Sequence, residues 1–386
     1  MNFYESLKAE LDQLQDHGQF RELRNISYRS GKAFLEGKEL LNLSSNDYLG
    51  LAARTDLREE FFAPLCNGKN AETFSMTASS SRLLTGNHPG YAALESQLSR
   101  LYNGRAALVL NSGYHANIGI LPALTGSGDL ILSDKLNHAS IIDGIRLSEA
   151  AFKRYGHLDY DQLEKILAEK ASAHKRIFII SESVFSMDGD IADLKRLTEI
   201  KRRYDAVLII DEAHAAGVFG QKGCGICEEA GLIDEIDIII GTFGKALCSA
   251  GAYAIMRPVV RDYLINKMRP LIFTTALPPV TVNWTSFILN QAVTMNARRR
   301  QLQELAAKFR TAIKEKGYKT GGSSQIVPLI IGDNLKTIEL AEKLRNNGFL
   351  VFPVRPPTVP QGTSRLRFSL SANMSWNELK GALDLL

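Results

Sequence analysis

The chain is 386 residues long, 45% hydrophobic and 23% charged, the balance of an ordinary globular protein with room for two lobes. Its 46 Lys+Arg against 42 Asp+Glu leave a formal net charge of +4, too small an excess to argue for a nucleic-acid or membrane-surface partner. Four cysteines are too few for a disulfide scaffold at this length, and no apolar run approaches the roughly 18 residues of a membrane span.

The first stretch, MNFYESLKAELDQL, has helical periodicity and acidic residues but neither the basic nor the apolar region of a targeting peptide, so a cytoplasmic location is expected. With the ELLNLSS that follows, it predicts an N-terminal arm over residues 1–45. From about residue 105 apolar strands alternate with amphipathic helices. The strand-like runs at 105–111, 128–134, 175–182, 205–212 and 236–242 are short and rich in Val, Ile and Leu, as strands covered on both faces are. Helical stretches such as DYDQLEKILAEKA and IADLKRLTEIKRRY lie between them. This alternation predicts an α/β fold with a mostly parallel sheet, placed in a large domain over 46–285. After TTALPP at 274–279 the pattern changes. A long helical stretch to about 316, a strand, a helix, two short strands and a last helix predict a smaller α+β domain over 286–386.

Open parallel sheets collect ligands at the carboxyl ends of their strands, so the polar residues there are the first candidates for chemistry. They read NSGYHAN at 111–117, SDKLNHAS at 133–140, SESVFSMDGD at 181–190, DEAHAAG at 211–217 and GTFGKAL at 241–247. The DEAH could be a helicase strand end, but that reading needs a phosphate loop of the form GxxxxGK[ST] earlier in the chain. The nearest match, Gly241 to Ala246, is too short, lacks a hydroxyl after Lys245, and comes after the DEAH.

Pyridoxal 5'-phosphate (PLP) accounts for these groups better. It needs a lysine to bond its aldehyde, a carboxylate at the pyridine nitrogen and donors for its phosphate. Lys245 sits among small residues after a strand, a setting that lowers an amine's pKa toward usefulness as a nucleophile. Asp211 closes another strand, where a pyridinium N–H would pair a buried carboxylate. His214 is three residues on, within reach of the ring's phenolic oxygen. NSGYHAN offers a helix N-terminus for the phosphate, Thr242 and Ser186 offer hydroxyls, and His138 can lie flat on the ring. Cys224 and Cys227 form a lone CxxC, which reads as two small residues near a turn; no metal site is expected.

The motifs SGYHAN, NHAS, ESVFSMDGD, IIDEAHAAGVFG and TFGKAL resemble the serial motifs of the α-oxoamine synthases, and the resemblance runs from NLSSNDYLGL near residue 42 to SRLRFSLSA near 372. These are fold-type-I, aspartate-aminotransferase-like PLP enzymes that condense an amino acid with an acyl thioester and release carbon dioxide. The resemblance implies Lys245 as the Schiff-base lysine, Asp211 as the pyridinium partner and His214 on the phenolic oxygen. It implies Gly113 and Tyr114 at the phosphate end, His138 stacked on the ring, and Glu182, Ser186 and Thr242 as further cofactor contacts. FTTALPP implies that Thr274 or Thr275 lends a hydroxyl to the partner subunit's phosphate, hence a homodimer. Arg367 matches the arginine that grips the amino-acid carboxylate, with Asn46 in the SSNDYLG motif. Arg21, Arg355 and Thr358 match acyl-side positions. The stretch VRPPTVPQGTSRLRFSLSA is most like the biotin-pathway branch, which joins L-alanine to a pimeloyl thioester carried on coenzyme A or an acyl carrier protein. Glycine with acetyl-CoA, or serine with a long acyl chain, is the alternative. The chain departs from the family at TASSSRLLTGN (77–87), where the family has GSGGSR. It departs again at Ala246-Leu247-Cys248, where the family prefers Ala-Phe-Gly.

Overall fold

The structure, a computed structural model, describes residues 2–29, 31–66 and 71–386. The chain divides into two compact units. The first comprises Met1–Thr55, Ser186–Asp190 and Arg300–Leu386, and the second Asp56–Phe185 and Ile191–Arg299. The limits at 55/56 and 299/300 lie beyond the 45/46 and 285/286 expected from sequence. In chain order the strands are β1 (Ser27–Arg29), β2 (Lys32–Leu35), β3 (Lys38–Asn42), β4 (Ala106–Leu110), β5 (Leu130–Asp134), β6 (Ala151–Tyr155) and β7 (Ile177–Glu182). There follow β8 (Val207–Asp211), β9 (Ile238–Thr242), β10 (Ala252–Met256), β11 (Ile326–Gly332), β12 (Phe349–Leu350), β13 (Pro353–Val354) and β14 (Ser364–Ser369).

The second unit is built on a seven-stranded sheet in the order β4-β10-β9-β8-β7-β5-β6. All its strands run parallel except β10, which is antiparallel to β4 and β9. The five strands expected from apolar runs are β4, β5, β7, β8 and β9. Ile131, Ile180, Ile209, Ile238 and Ile240 from them pack in one buried cluster with Ile120, Ile141 and Leu264 from covering helices. Each such side chain contributes roughly 1.5–3 kcal/mol by leaving water. β6 has the sequence AFKRY with four of five residues exposed, the charged edge that discourages pairing with another chain.

The first unit holds two small sheets. One has the order β1-β2-β3-β12, in which β3 pairs parallel with β12 through Leu41 with Phe349 and Asn42 with Leu350. That pairing ties the N-terminal segment to the C-terminal residues. Glu36 and Gly37, both at positive φ (52° and 77°), make the tight β2–β3 turn that matches strand twist. The other sheet, β11-β14-β13, is antiparallel, and its central strand carries Arg365 and Arg367.

The long helical stretch expected after residue 279 is two helices, Pro279–Val293 and Asn296–Glu315. Arg299 caps the first of them by donating to the carbonyls of Ala292 (2.7 Å) and Val293 (3.1 Å). Three strands rather than two follow the helix Asn334–Asn346, because β13 pairs with β14 at Pro353 and Val354. Among the described residues no helix is long and apolar enough to cross a membrane.

Candidate active site

Parallel strands deliver their carboxyl ends to one edge of the sheet. Asp134, Glu182, Asp211 and Thr242 are the last residues of β5, β7, β8 and β9. Glu182 and Asp211 are register partners on adjacent strands, with only 3% and 5% of their surface exposed. Two buried carboxylates side by side cannot both ionise without cost. Glu182 is accordingly pushed up to about 8, by desolvation first and then by the Asp211 charge. The Lys245 charge and the His138 backbone N–H oppose that rise. Glu182 Oε1 accepts this N–H at 2.6 Å.

Asp211 is held by two amide donors. Its Oδ1 accepts the Ala213 backbone N–H at 2.8 Å, and its Oδ2 accepts Asn117 Nδ2 at 2.8 Å. Asn117 is fully enclosed and also donates to Ser140 Oγ at 3.0 Å. Ser140 Oγ in turn lies 2.8 Å from His138 Nδ1. His138 is an exposed residue. Desolvation by the surrounding protein, then the Lys245 charge, lowers its pKa, while the charges of Asp211 and Asp143 act against this.

Lys245 lies in the loop after β9, with Nζ 2.9 Å from Nε2 of the buried His214. The loop is tightly turned. Thr242 Oγ1 donates to the Gly251 carbonyl (3.1 Å) and accepts the Gly244 N–H (3.2 Å), and the Cys248 N–H donates to the Lys245 carbonyl (2.9 Å). Cys248 sits at φ +46°, the left-handed region where glycine alone is free of steric cost. A glycine at this position would carry no such cost. Cys224 and Cys227 are both buried and free, and among the described residues no group of His, Cys, Asp or Glu has the makings of a metal site.

Gly113 opens the 12-residue helix Gly113–Leu124, capped by Ser112 Oγ accepting the His115 N–H at 3.2 Å. A Cβ at Gly113 would stand 3.9 Å from that of Thr242, so the helix start and the β9 end adjoin. Tyr114 is 47% exposed and donates to Asp143 Oδ2 at 2.8 Å. Asn111 Nδ2 donates to the Thr275 carbonyl at 2.7 Å and lies 3.5 Å from Thr274 Oγ1, so both threonines adjoin the β4 end.

The remaining expected residues belong to the first unit. Arg367 is gripped on every side. Its Nε donates to the Ser186 carbonyl, Nη1 to Ser369 Oγ (2.6 Å) and Asn46 Oδ1 (3.3 Å), and Nη2 to Asn46 Oδ1 and Tyr48 Oη (both 3.3 Å). Ser186 therefore appears here through its backbone, as an anchor of Arg367. Arg21 Nη2 donates to Thr358 Oγ1 at 2.9 Å, and Arg355 donates to the carbonyls of Gly18 and Phe20. Burial first, then the Arg21 charge, lowers the Arg355 pKa.

Sequence reasoning passed over Asn111, Asn117 and Ser140, although each stood inside a motif it singled out. Asn117 carried a signal of its own, as a lone amide between the apolar Ala116 and Ile118 on a helix whose other buried residues are Ala116, Gly119, Ile120 and Leu121.

The set fits PLP. A buried Asp211 with amide donors and no ion pair among the described residues is the partner a protonated pyridine nitrogen completes. A helix N-terminus suits the phosphate, and an amine stands at the neighbouring strand end. Residues 38–386 match the family model described as aminotransferase class I and II. The chain belongs to that family, whose members of this fold are PLP-dependent transferases. It is 50% identical over 381 residues to an 8-amino-7-oxononanoate synthase of Chlorobaculum parvum, covering 98% of this chain and 97% of the relative. It is 47% identical to a putative 8-amino-7-oxononanoate synthase of Haemophilus influenzae, covering 97% and 98%. A solved serine palmitoyltransferase from Sphingomonas wittichii superposes with a TM-score of 0.90 at 29% identity, covering 99% and 96% of the two chains. The 8-amino-7-oxononanoate synthase of Francisella tularensis superposes at 0.76 with 30% identity, covering 90% and 96%. Within the family, then, this chain is a PLP-dependent acyltransferase of the α-oxoamine synthase group, similar to the 8-amino-7-oxononanoate synthases.

Proposed function

We propose that the chain condenses L-alanine with a pimeloyl thioester, on coenzyme A or an acyl carrier protein, to give 8-amino-7-oxononanoate, carbon dioxide and the free thiol in biotin formation. The observation that carries the reading is the Lys245 amine 2.9 Å from His214, on the sheet edge that holds the buried Asp211. The full-length likeness to 8-amino-7-oxononanoate synthases supports the choice of substrates.

Lys245, Asp211, His214, His138, Glu182, Thr242, Gly113 and Tyr114 would hold the cofactor, whose contribution when bound is an electron sink for the α-carbon of the amino acid. The Arg367 guanidinium, set in place by Ser186 and Ser369, binds the alanine carboxylate, which takes over the donors now making the long 3.3 Å bonds to Asn46 and Tyr48. Lys245 Nζ takes the α-proton and later returns one, general acid–base help worth roughly 10²–10⁴ in rate. The α-carbon bonds to the thioester carbonyl carbon, the sulfur leaves with a proton, and the former alanine carboxylate departs as carbon dioxide. Arg21, Thr358 and Arg355 bind the acyl side. The Asp211 carboxyl, fixed by Asn117 Nδ2 and the Ala213 N–H, is the acceptor that would face a protonated ring nitrogen. We also propose a cytoplasmic homodimer in which Thr274 or Thr275 reaches the partner's phosphate site.

The test is thiol release from pure enzyme with alanine, glycine or serine against pimeloyl, acetyl and long-chain thioesters. Alanine with the pimeloyl donor is the expected pair. Turnover with glycine or serine but not alanine would overturn the substrate assignment, and the serine palmitoyltransferase likeness makes serine the sharpest competitor. Absence of a borohydride-sensitive visible absorbance would refute the role of Lys245.

A further inference from the structure

We infer that a directed hydrogen-bond chain starting at Asp211 fixes His138 as the tautomer protonated on Nε2, with Asn117 and Ser140 as its positioning residues. The direction follows from donor chemistry alone. Asp211 accepts at both oxygens, Oδ1 from the Ala213 N–H and Oδ2 from the Asn117 amide nitrogen at 2.8 Å. The second hydrogen of that nitrogen goes to Ser140 Oγ at 3.0 Å, in a fully buried contact. Ser140 Oγ lies 2.8 Å from His138 Nδ1, and the hydroxyl hydrogen goes to that nitrogen because a backbone N–H already marks it as an acceptor. A second donor meets the same atom: the Ser140 backbone N–H, 3.2 Å away, which can never accept. His138 in this way caps the helix Ala139–Arg146 through Nδ1. Two donors on Nδ1 leave no room for a hydrogen there, so the ring proton sits on Nε2.

The surroundings of His138 act in the same sense. Protonating the ring would turn an Nδ1–H against both Ser140 donors, and desolvation and the Lys245 charge oppose it further. The charges of Asp211 and Asp143 pull the other way, and Glu182 is engaged with the His138 backbone N–H rather than with the ring. His138 thus presents a hydrogen-bond donor at Nε2 and no free base. It serves the reaction by donating to an oxygen on which charge develops, while proton transfer at carbon belongs to Lys245. The same chain links the Asp211 carboxylate to the His138 ring, so a change at one end alters the donor at the other.

The inference rests on His138 being a residue of the proposed site, which cofactor absorbance in His138→Gln tests separately. The deciding measurement is the ring ¹⁵N spectrum of holoenzyme labelled at its seven histidines, with His138 assigned by the signal lost in His138→Gln. Nδ1 is expected to resonate as an unprotonated acceptor and Nε2 as a protonated nitrogen across about pH 6–8. Ser140→Ala removes one donor and is expected to lower the ratio of the two tautomers about fivefold, the effect of one ordinary hydrogen bond. Asn117→Asp places an oxygen where the Ser140 hydroxyl would donate instead, and is expected to lower the ratio similarly. A wild-type Nδ1–H signal, or a wild-type ratio in Ser140→Ala, overturns the inference. The wild-type spectrum decides the tautomer even where a variant fails to fold.

Discussion

Glu182→Gln removes one buried ionisable group yet keeps the oxygen that accepts the His138 N–H at 2.6 Å. In the wild-type chain the folded state holds the Glu182 proton up to about pH 8, whereas an unfolded glutamate releases it near 4.5. Between those values the folded chain binds more protons than the unfolded one, so its stability falls as pH rises. Each pH unit in the window costs the fold ~1.4 kcal/mol, and the whole window on the order of 5 kcal/mol. The glutamine variant escapes this loss. It is expected to match wild type near pH 5 and to exceed it by a few kcal/mol near pH 8. Urea unfolding of both proteins, stripped of cofactor and followed from about pH 5 to 8, measures the difference. A gap that stays flat with pH, or that widens toward acid, would refute the burial of Glu182 as an acid held against its neighbours.

Arg367→Lys replaces a five-donor fork by a point charge, and is expected to raise KM for the amino acid by roughly 10–100-fold while cofactor absorbance persists. An unchanged KM would remove Arg367 from carboxylate binding. Cys248→Gly relieves a left-handed residue at φ +46° and is expected to stabilise the chain by ~0.5–1 kcal/mol, read from the urea midpoint; a fall in the midpoint counts against strain there. Arg21→Ala breaks the bond to Thr358 and is expected to raise KM for the thioester but not for alanine in initial-rate assays. Equal effects on both substrates would place Arg21 outside the acyl side.

Much of the architecture was legible because burial on both faces leaves unbroken apolar runs, and β4, β5, β7, β8 and β9 all have them. The edge strand β6 escaped notice because a charged edge hides its periodicity. β10 is as apolar and buried as those five, but its antiparallel direction depends on the turn at Gly251 (φ 103°), a backbone event with no apolar signature. At the site, Lys245, Asp211, His214 and His138 announced themselves by residue type at strand ends. Asn117 and Ser140 did not, because their importance lies in which donors face which acceptors.

The amino-acid sequence by itself determined the parallel α/β class, the order of the chemical groups along successive strand ends, and the likeness to α-oxoamine synthases. Those follow from local periodicity and from residue type, which a linear reading can count. Only the tertiary structure decided that Glu182 and Asp211 are register neighbours, and that burial first and then the Asp211 charge raise the Glu182 carboxyl to about 8. It alone showed that Ser186 anchors Arg367 through a carbonyl, and that a hydrogen-bond chain runs from Asp211 to His138. Register, burial and donor direction are relations between residues far apart in the chain, and folding creates them.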